Sequence, residues 1–267
     1  MKPECPTTRK VSTIHISPKA PFKLLTCIIL AVLLASCENE NDRKWKLWRI
    51  EADKTSYRCG RFGDYEIKIK KEYFFFWPTY DVWSGWDPDE PPPPLDCSAK
   101  LKSMSMEVIW PGIIADSRKP AGYSDNPNHI TISINAVPDV KDVEEWDLVY
   151  SLKRKLELNQ NNNLDLHGYK IKNLGLYSSR KKYRKSSLIT TTYYWESTPK
   201  DRIKTIISCE TSDNAIVNYC KQIQFFPEME VTVEIAYDRS QLKNWKEISI
   251  DALNFIKNHS KHNRSQT

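Results

Sequence analysis

The side chains able to do covalent or metal chemistry are few: seven cysteines and five histidines in 267 residues. Cys5, Cys27 and Cys37 lie near the start, and Cys59, Cys97, Cys209 and Cys220 are spread through the rest. None stands in a C-x-x-C pair, so the spacing does not favour a zinc site. His129, His167, His259 and His262 are scattered, and His167 beside Gly168 reads as structural. Asp81, Asp87, Asp89 and Glu90 gather in a Trp- and Pro-rich stretch. They are either a carboxylate site for catalysis or Ca²⁺, or the solvated charges of a loop. The chain has no Gly-rich phosphate loop, G-x-S-x-G elbow, H-E-x-x-H or EF-hand loop, and only seven glycines. No catalytic residue, metal or cofactor is therefore expected, and the function is sought in binding.

Residues 24–35 are an apolar run preceded by a cationic segment. The run is too short to span a bilayer, which takes about 20 residues, and has the build of a secretory signal. The four residues Leu34-Ala35-Ser36-Cys37 resemble the lipobox of bacterial lipoproteins. That resemblance implies cleavage before Cys37, diacylglycerol on its thiol and an envelope membrane anchor; the alternative is an ordinary signal peptide with a chance cysteine. By resemblance to enteric lipoproteins, Glu38, where Asp would retain the protein in the inner membrane, favours the outer membrane, with the periplasmic side expected and the outward side left open. The segment ahead of the apolar run is long for a signal and carries Pro3, Pro6, Pro18 and Pro21, which leaves a later start codon open.

Export fits the remaining cysteines. Four in an oxidising compartment read as two disulfides, against an alternative of four buried thiols. Of the three pairings, the sequence-local one, Cys59–Cys97 with Cys209–Cys220, is preferred. A loop of about 12 residues closes readily and stabilises by roughly 3 kcal/mol.

These positions need a scaffold. Hydrophobic residues make up 40% of the chain, with nine Trp, thirteen Tyr and eight Phe, too aromatic for a disordered polymer. Five of the 40 basic residues and one of the 34 acidic ones fall in 1–36, leaving 35 against 33. So nearly neutral a remainder is a poor nucleic-acid binder. Residues 1–36 are expected to be the signal and 37–44 a lipidated tether. An N-terminal α+β subdomain over 45–160 would carry a Pro-rich loop at 87–96, a C-terminal α+β subdomain would cover 161–257, and 258–267 would be a polar tail. Glu66–Lys70, the aromatic run Tyr73–Trp77, Met104–Trp110 and Ile130–Asn135 read as strands. Asp142–Leu156 reads as a helix or a long extended element. Ser187–Trp195 and Ile203–Ser208 form a predicted hairpin, Ala215–Cys220 a short helix, and Gln224–Phe226 and Met229–Tyr237 further strands. Ser240 is an expected N-cap for a last helix with Leu242, Trp245, Ile248, Ala252, Phe255 and Ile256 as its apolar stripe. The fold class is α+β: a mostly antiparallel sheet with a C-terminal amphipathic helix packed on it. The recurrence of strand, turn, strand and helix permits two similar subdomains.

Binding needs anchors, for which aromatic and Arg side chains are favoured. Tyr80, Trp83 and Trp86 in the Pro-rich region are the first candidates, with a core role as the alternative. Arg180, Lys181, Lys182 and Arg184 form the densest basic patch, either a contact for an acidic partner or lipid headgroups or a solvated turn. Of Tyr193, Tyr194 and Trp195, adjacent on a strand, at least one is expected at the surface. The C-terminal section combines Cys209 and Cys220, the strand Glu230–Tyr237, and Leu242-x-x-Trp245-x-x-Ile248 on the helix; Trp110-Pro111-Gly112 follows an earlier strand. In these features, concentrated in residues 205–257, the chain resembles the lipoprotein immunity proteins that accompany type VI secretion phospholipase effectors. The resemblance implies a non-enzymatic protein that plugs a cognate toxin, a phospholipase among such effectors. Its partners would be that toxin and, through its lipid, a membrane, with no nucleic acid. A structural or assembly lipoprotein of the envelope is the alternative.

Overall fold

The computed structural model describes residues 40–81, 92–116, 126–137, 148, 152, 169–179, 183–184, 189–198, 202–212 and 217–262. The chain divides into a unit ending at Ala52 and a second over Asp53–Thr267. Helix α1, Glu40–Lys54, begins inside the expected tether. Its sequence has neither Gly nor Pro and is rich in Lys, Arg and Glu, which lose little on entering a helix.

In the second unit, β1 (Tyr57–Phe62) and β2 (Tyr65–Lys70) form a hairpin turned at Gly63 and Asp64. Gly63 takes φ +53°, the left-handed region open to glycine. Ile67 and Ile69 face the core while Lys68 and Lys70 face solvent. The aromatic run that follows is not a strand: Lys71–Tyr73 is a 3₁₀ turn, and the chain beyond it is irregular up to Thr79. Five consecutive aromatics match neither the alternation of a half-buried strand nor one buried face. The expected polar tail instead holds β14 (Ser260–His262), which adds to β2's other side, Tyr65 meeting His262 ring edge to ring.

The larger sheet has eleven strands among the described residues. They are β3 (Thr79–Tyr80), β4 (Leu101–Ile109), β5 (Ile114–Ala115), β6 (His129–Ala136), β7 (Tyr169–Ile171), β8 (Leu176–Ser178), β9 (Tyr183–Arg184), β10 (Ile189–Ser197), β11 (Ile203–Ser212), β12 (Asn218–Phe226) and β13 (Val231–Asp238). The order is β3-β4-β6-β13-β12-β11-β10-β8-β7, with β5 on β4 and β9 on β10. Among the described residues, every pairing between these strands is antiparallel. The predicted hairpin is β10–β11. Residues 218–220 are strand rather than helix, because from Cys220 the alternate side chains Cys220, Gln222, Gln224 and Phe226 are all buried. The boundary at residue 160 does not separate two sheets: β6 pairs with β13 from Ile130↔Tyr237 to Ala136↔Val231.

Helix α2, Trp245–Asn258, buries Trp245, Ile248, Ala252 and Ile256 against this sheet. It follows a 3₁₀ stretch, Arg239–Asn244, capped by the Asp238 carboxylate, which accepts from the Ser240 backbone N–H; Ser240 is therefore not the cap. Polar contacts fix α2: Trp245 Nε1–H donates to the Leu174 carbonyl (2.9 Å), Trp110 Nε1–H to Asp251 (2.8 Å), and Ser249 Oγ–H to Gln224 (2.7 Å). Behind α2, Tyr237 donates to Gln222 at 3.2 Å, and burial pushes its phenol pKa far up. Successive residues on β11 supply both faces: Ile207 enters the core under α2, whereas Ile206 joins Trp195, Ile203, Leu148 and Leu152 on the other side. Leu148 and Leu152 are helical and four residues apart; the rest of the Asp142–Leu156 stretch lies outside the described residues.

The two sheets approach at Gly60. A Cβ there would stand 2.6 Å from Leu101 Cγ and 2.8 Å from the Ala99 carbonyl oxygen, and Arg61 N–H already donates to that oxygen. We expect Gly60→Ala to destabilise the protein by about 1–3 kcal/mol, the cost of overpacking. Urea unfolding monitored by tryptophan fluorescence measures it, and an unchanged midpoint would show that β1 and β4 can separate freely.

Candidate partner-binding surface

The four cysteines come together as Cys59–Cys97 and Cys209–Cys220, with Cα–Cα distances of 5.0 and 4.0 Å. Cys209 and Cys220 face each other in the β11–β12 register and are fully buried. Cys59–Cys97 fastens the segment ending the Pro-rich loop onto β1. Next to it, Tyr80 is buried, and its hydroxyl donates to the Cys59 carbonyl at 3.1 Å. Burial pushes the Tyr80 phenol pKa up, partly opposed by Arg58. Tyr80 is thus a core residue, and it presents nothing to a partner. Trp83, Trp86, Arg180, Lys181 and Lys182, as well as Cys37, lie outside the described residues. Arg184 is placed in β9, opposite Thr190 of β10. Among the three adjacent aromatics, Tyr194 and Trp195 are buried and Tyr193 is half-buried; both faces of β10 are covered, so none is fully exposed.

The exposed aromatics are elsewhere. Phe74 turns inward, whereas Phe75 and Phe76 stay 44% and 59% exposed, their rings edge to face with centroids 4.7 Å apart. Trp77, next in the chain, carries the Arg58 guanidinium 3.6 Å above its ring. Arg58 also donates to Thr55 Oγ1 (3.1 Å) and reaches Asp53 at 3.5 Å. Burial lowers its pKa and the Asp53 charge works against that; the ring stack, the Thr55 bond and the Asp53 pair hold the guanidinium in place. Asp53, Ser56, Tyr57 and Arg58 on one side, and Lys70, Lys71 and Glu72 on the other, line an open cleft of about 530 Å³. Lys71 Nζ donates to the Asp53 carbonyl at 2.8 Å and its backbone N–H to Ser56, closing one end. The segment that displays Phe75 and Phe76 is therefore tied at its start by Lys71 and at its end by the Arg58–Trp77 stack.

Another cluster has the residue types of an acid–base pair. His129 Nε2 lies 3.8 Å from Glu107 Oε2, which accepts from Thr131 Oγ1 at 2.8 Å. Both titratable side chains are buried, out of reach of a solute, so the cluster reads as part of the β4–β6 packing. Among the described residues, no group of three or more His, Cys, Asp or Glu could hold a metal ion, and no helix is long and apolar enough to cross a membrane.

No protein-family model and no curated protein matches the chain. Among solved structures, it is similar over 77% of its length to Smlt3025, an immunity protein of the Stenotrophomonas maltophilia type IV secretion system. That match covers 94% of the other chain at 13% identity and a TM-score of 0.43. It also matches the Saccharomyces cerevisiae Ran-binding protein Mog1p, over 77% of this chain and 95% of that one, at 10% identity and a TM-score of 0.26. Superpositions this loose assign no function.

The Phe75–Phe76 pair was legible only in part. An aromatic run ahead of Pro78 signals a break, but its register, Phe74 in and its two successors out, depends on the 3₁₀ turn. Phe74→Ala should cost about 3–5 kcal/mol by leaving a cavity, whereas the double substitution Phe75→Ala/Phe76→Ala should change stability by less than about 1 kcal/mol. Thermal and denaturant unfolding compare the two; a large loss in the double variant would make these rings core residues and remove them as anchors.

Proposed function

We propose that this protein is a lipoprotein, anchored through Cys37 in the outer membrane and facing the periplasm, that binds and neutralises a cognate secreted lipase-type toxin. The observation carrying the binding role is the exposed Phe75–Phe76 pair, held on a segment fixed at both ends. Monomeric surfaces seldom leave paired large aromatics in water without a use. Pre-ordered aromatic anchors also lose little entropy on binding. The Cys59–Cys97 and Cys209–Cys220 bridges fit an oxidising compartment. The lipobox-like Leu34–Cys37 supports the anchor, and the resemblance of residues 205–257 to immunity lipoproteins supports the lipase-type partner. Inhibition of this kind works by complementarity: anchors fill a cleft on the toxin and exclude its substrate.

The test is capture from envelope extract with an oxidised chain beginning after Cys37, supplemented with toxins encoded beside its gene. A single lipase or related toxin retained near one to one, and inhibited in its own assay, is the expected result. Phe75→Ala/Phe76→Ala should weaken that retention at least about tenfold, as loss of a hot-spot pair does. Retention of envelope assembly or wall proteins instead would give the protein an architectural role, and retention of nothing with the neighbouring toxins present would end the immunity proposal.

A further inference from the structure

Helix α1 has two opposed stripes. Trp45, Trp48 and Ala52 form one; Trp45 and Ala52 are buried, and the two indoles meet edge to face at 5.5 Å. Arg43, Leu47, Ile50 and Lys54 recur at i, i+4, i+7 and i+11 and form the other, which is exposed along its length. Leu47 is 55% exposed and Ile50 50%. Between Arg43 and Ile50 the helix carries Arg43, Lys44, Lys46 and Arg49 and no acidic residue; Glu40, Asp42, Glu51 and Asp53 stand towards its ends.

Leu47 and Ile50 thus place an aliphatic pair, about a turn apart, within a cationic face. Aliphatic side chains flanked by long cationic ones suit the boundary between lipid headgroups and acyl chains, where the stems lie along apolar matter and the charges stay in the polar layer. Position along the chain selects a bilayer over other apolar occupants. Glu40 is three residues beyond Cys37, a reach of roughly 10 Å even if fully extended. A lipid on that thiol holds the start of the helix at the headgroup layer. We infer that α1 lies along the leaflet that receives the Cys37 lipid. Leu47 and Ile50 enter its apolar boundary, and Arg43 and Lys46 sit against anionic headgroups. The helix then acts as a second attachment to the membrane, instead of serving as a loose spacer. The inference rests on the lipoprotein reading for its choice of occupant.

The test separates the two. Mature chain starting at residue 37 is prepared lipidated and, with Cys37→Ser, unlipidated; the mass of its N-terminal peptide reports lipidation by itself. The unlipidated chain is sedimented with vesicles of phosphatidylethanolamine and phosphatidylglycerol, and with vesicles of phosphatidylcholine alone. It should bind the anionic vesicles more tightly and release as salt rises. Leu47→Ser/Ile50→Ser and, separately, Arg43→Gln/Lys46→Gln should each weaken that binding about tenfold, with unchanged helix content by circular dichroism. In the lipidated chain, amides 43–50 should gain protection from exchange when vesicles are present. No binding to anionic vesicles, or binding indifferent to all four side chains, overturns the inference. So does a chain that ignores vesicles and dimerises through Leu47 and Ile50, which gives the face to a second copy. Vesicle binding by a natural protein that carries no lipid on Cys37 would overturn the anchor and keep the helix.

Discussion

The pairing of β6 with β13 brings together residues about a hundred positions apart, and most of the structure stands on it. Ile130, Ile132 and Ile134 from one strand and Val231, Val233, Ile235 and Tyr237 from the other are buried in the same core. Closing so long a loop costs entropy that grows only slowly with length. The offset is the burial of these side chains, worth roughly 1.5–3 kcal/mol for each large aliphatic one. Without this seam, β4 and its neighbours would have an unpaired edge, and α2 would lack half of its platform. Trp110, which ends the β4 region, bonds to Asp251 of α2, and Trp245 of α2 bonds to the turn before β8, so the helix ties both flanks of the sheet across the seam.

The display of the candidate surface follows from the same framework. The small β1–β2–β14 sheet touches the large one where Gly60 lets the Ala99 carbonyl approach, and Cys59–Cys97 anchors the adjoining segment. Tyr80 fills the space beneath, its hydroxyl spent on the Cys59 carbonyl. With that layer closed, Lys71 and Arg58 hold the turn from which Phe75 and Phe76 project. The Glu107–His129–Thr131 group sits on the large sheet and does different work: the Thr131 hydroxyl supplies the buried Glu107 carboxylate with a hydrogen bond inside the packing.

Period-two alternation made β2, β4, β6, β10, β11 and β13 readable, because one residue in two must leave the water. The α2 stripe was readable from its spacing for the same reason. What alternation cannot supply is partnership. Ser260–His262 is polar and short, and is a strand only because β2 offers it an edge. Ala215–Cys220 reads as a short helix, yet Cys220 is drawn opposite Cys209 and the ladder extends through both. Helix α1 begins three residues after Cys37, close enough to pass for a tether, although its composition favours a helix. Of the aromatic candidates, Tyr80 takes the core role that stood as its alternative, since a lone aromatic beside a Pro-rich stretch carries no sign of which way it points. Phe75 and Phe76 were missed since a five-residue aromatic run looks like interior.

The central structural claim is that both halves of the chain form one cooperative sheet, a single rigid support for the exposed aromatics. Native-state amide hydrogen exchange under increasing denaturant tests it most directly. Backbone amides of β6, β13 and α2 should share one exchange free energy, equal to that of global unfolding. Exchange of β6 and β4 at a distinctly lower free energy than β12 and β13 would contradict it, and would mean two units that open independently at the seam.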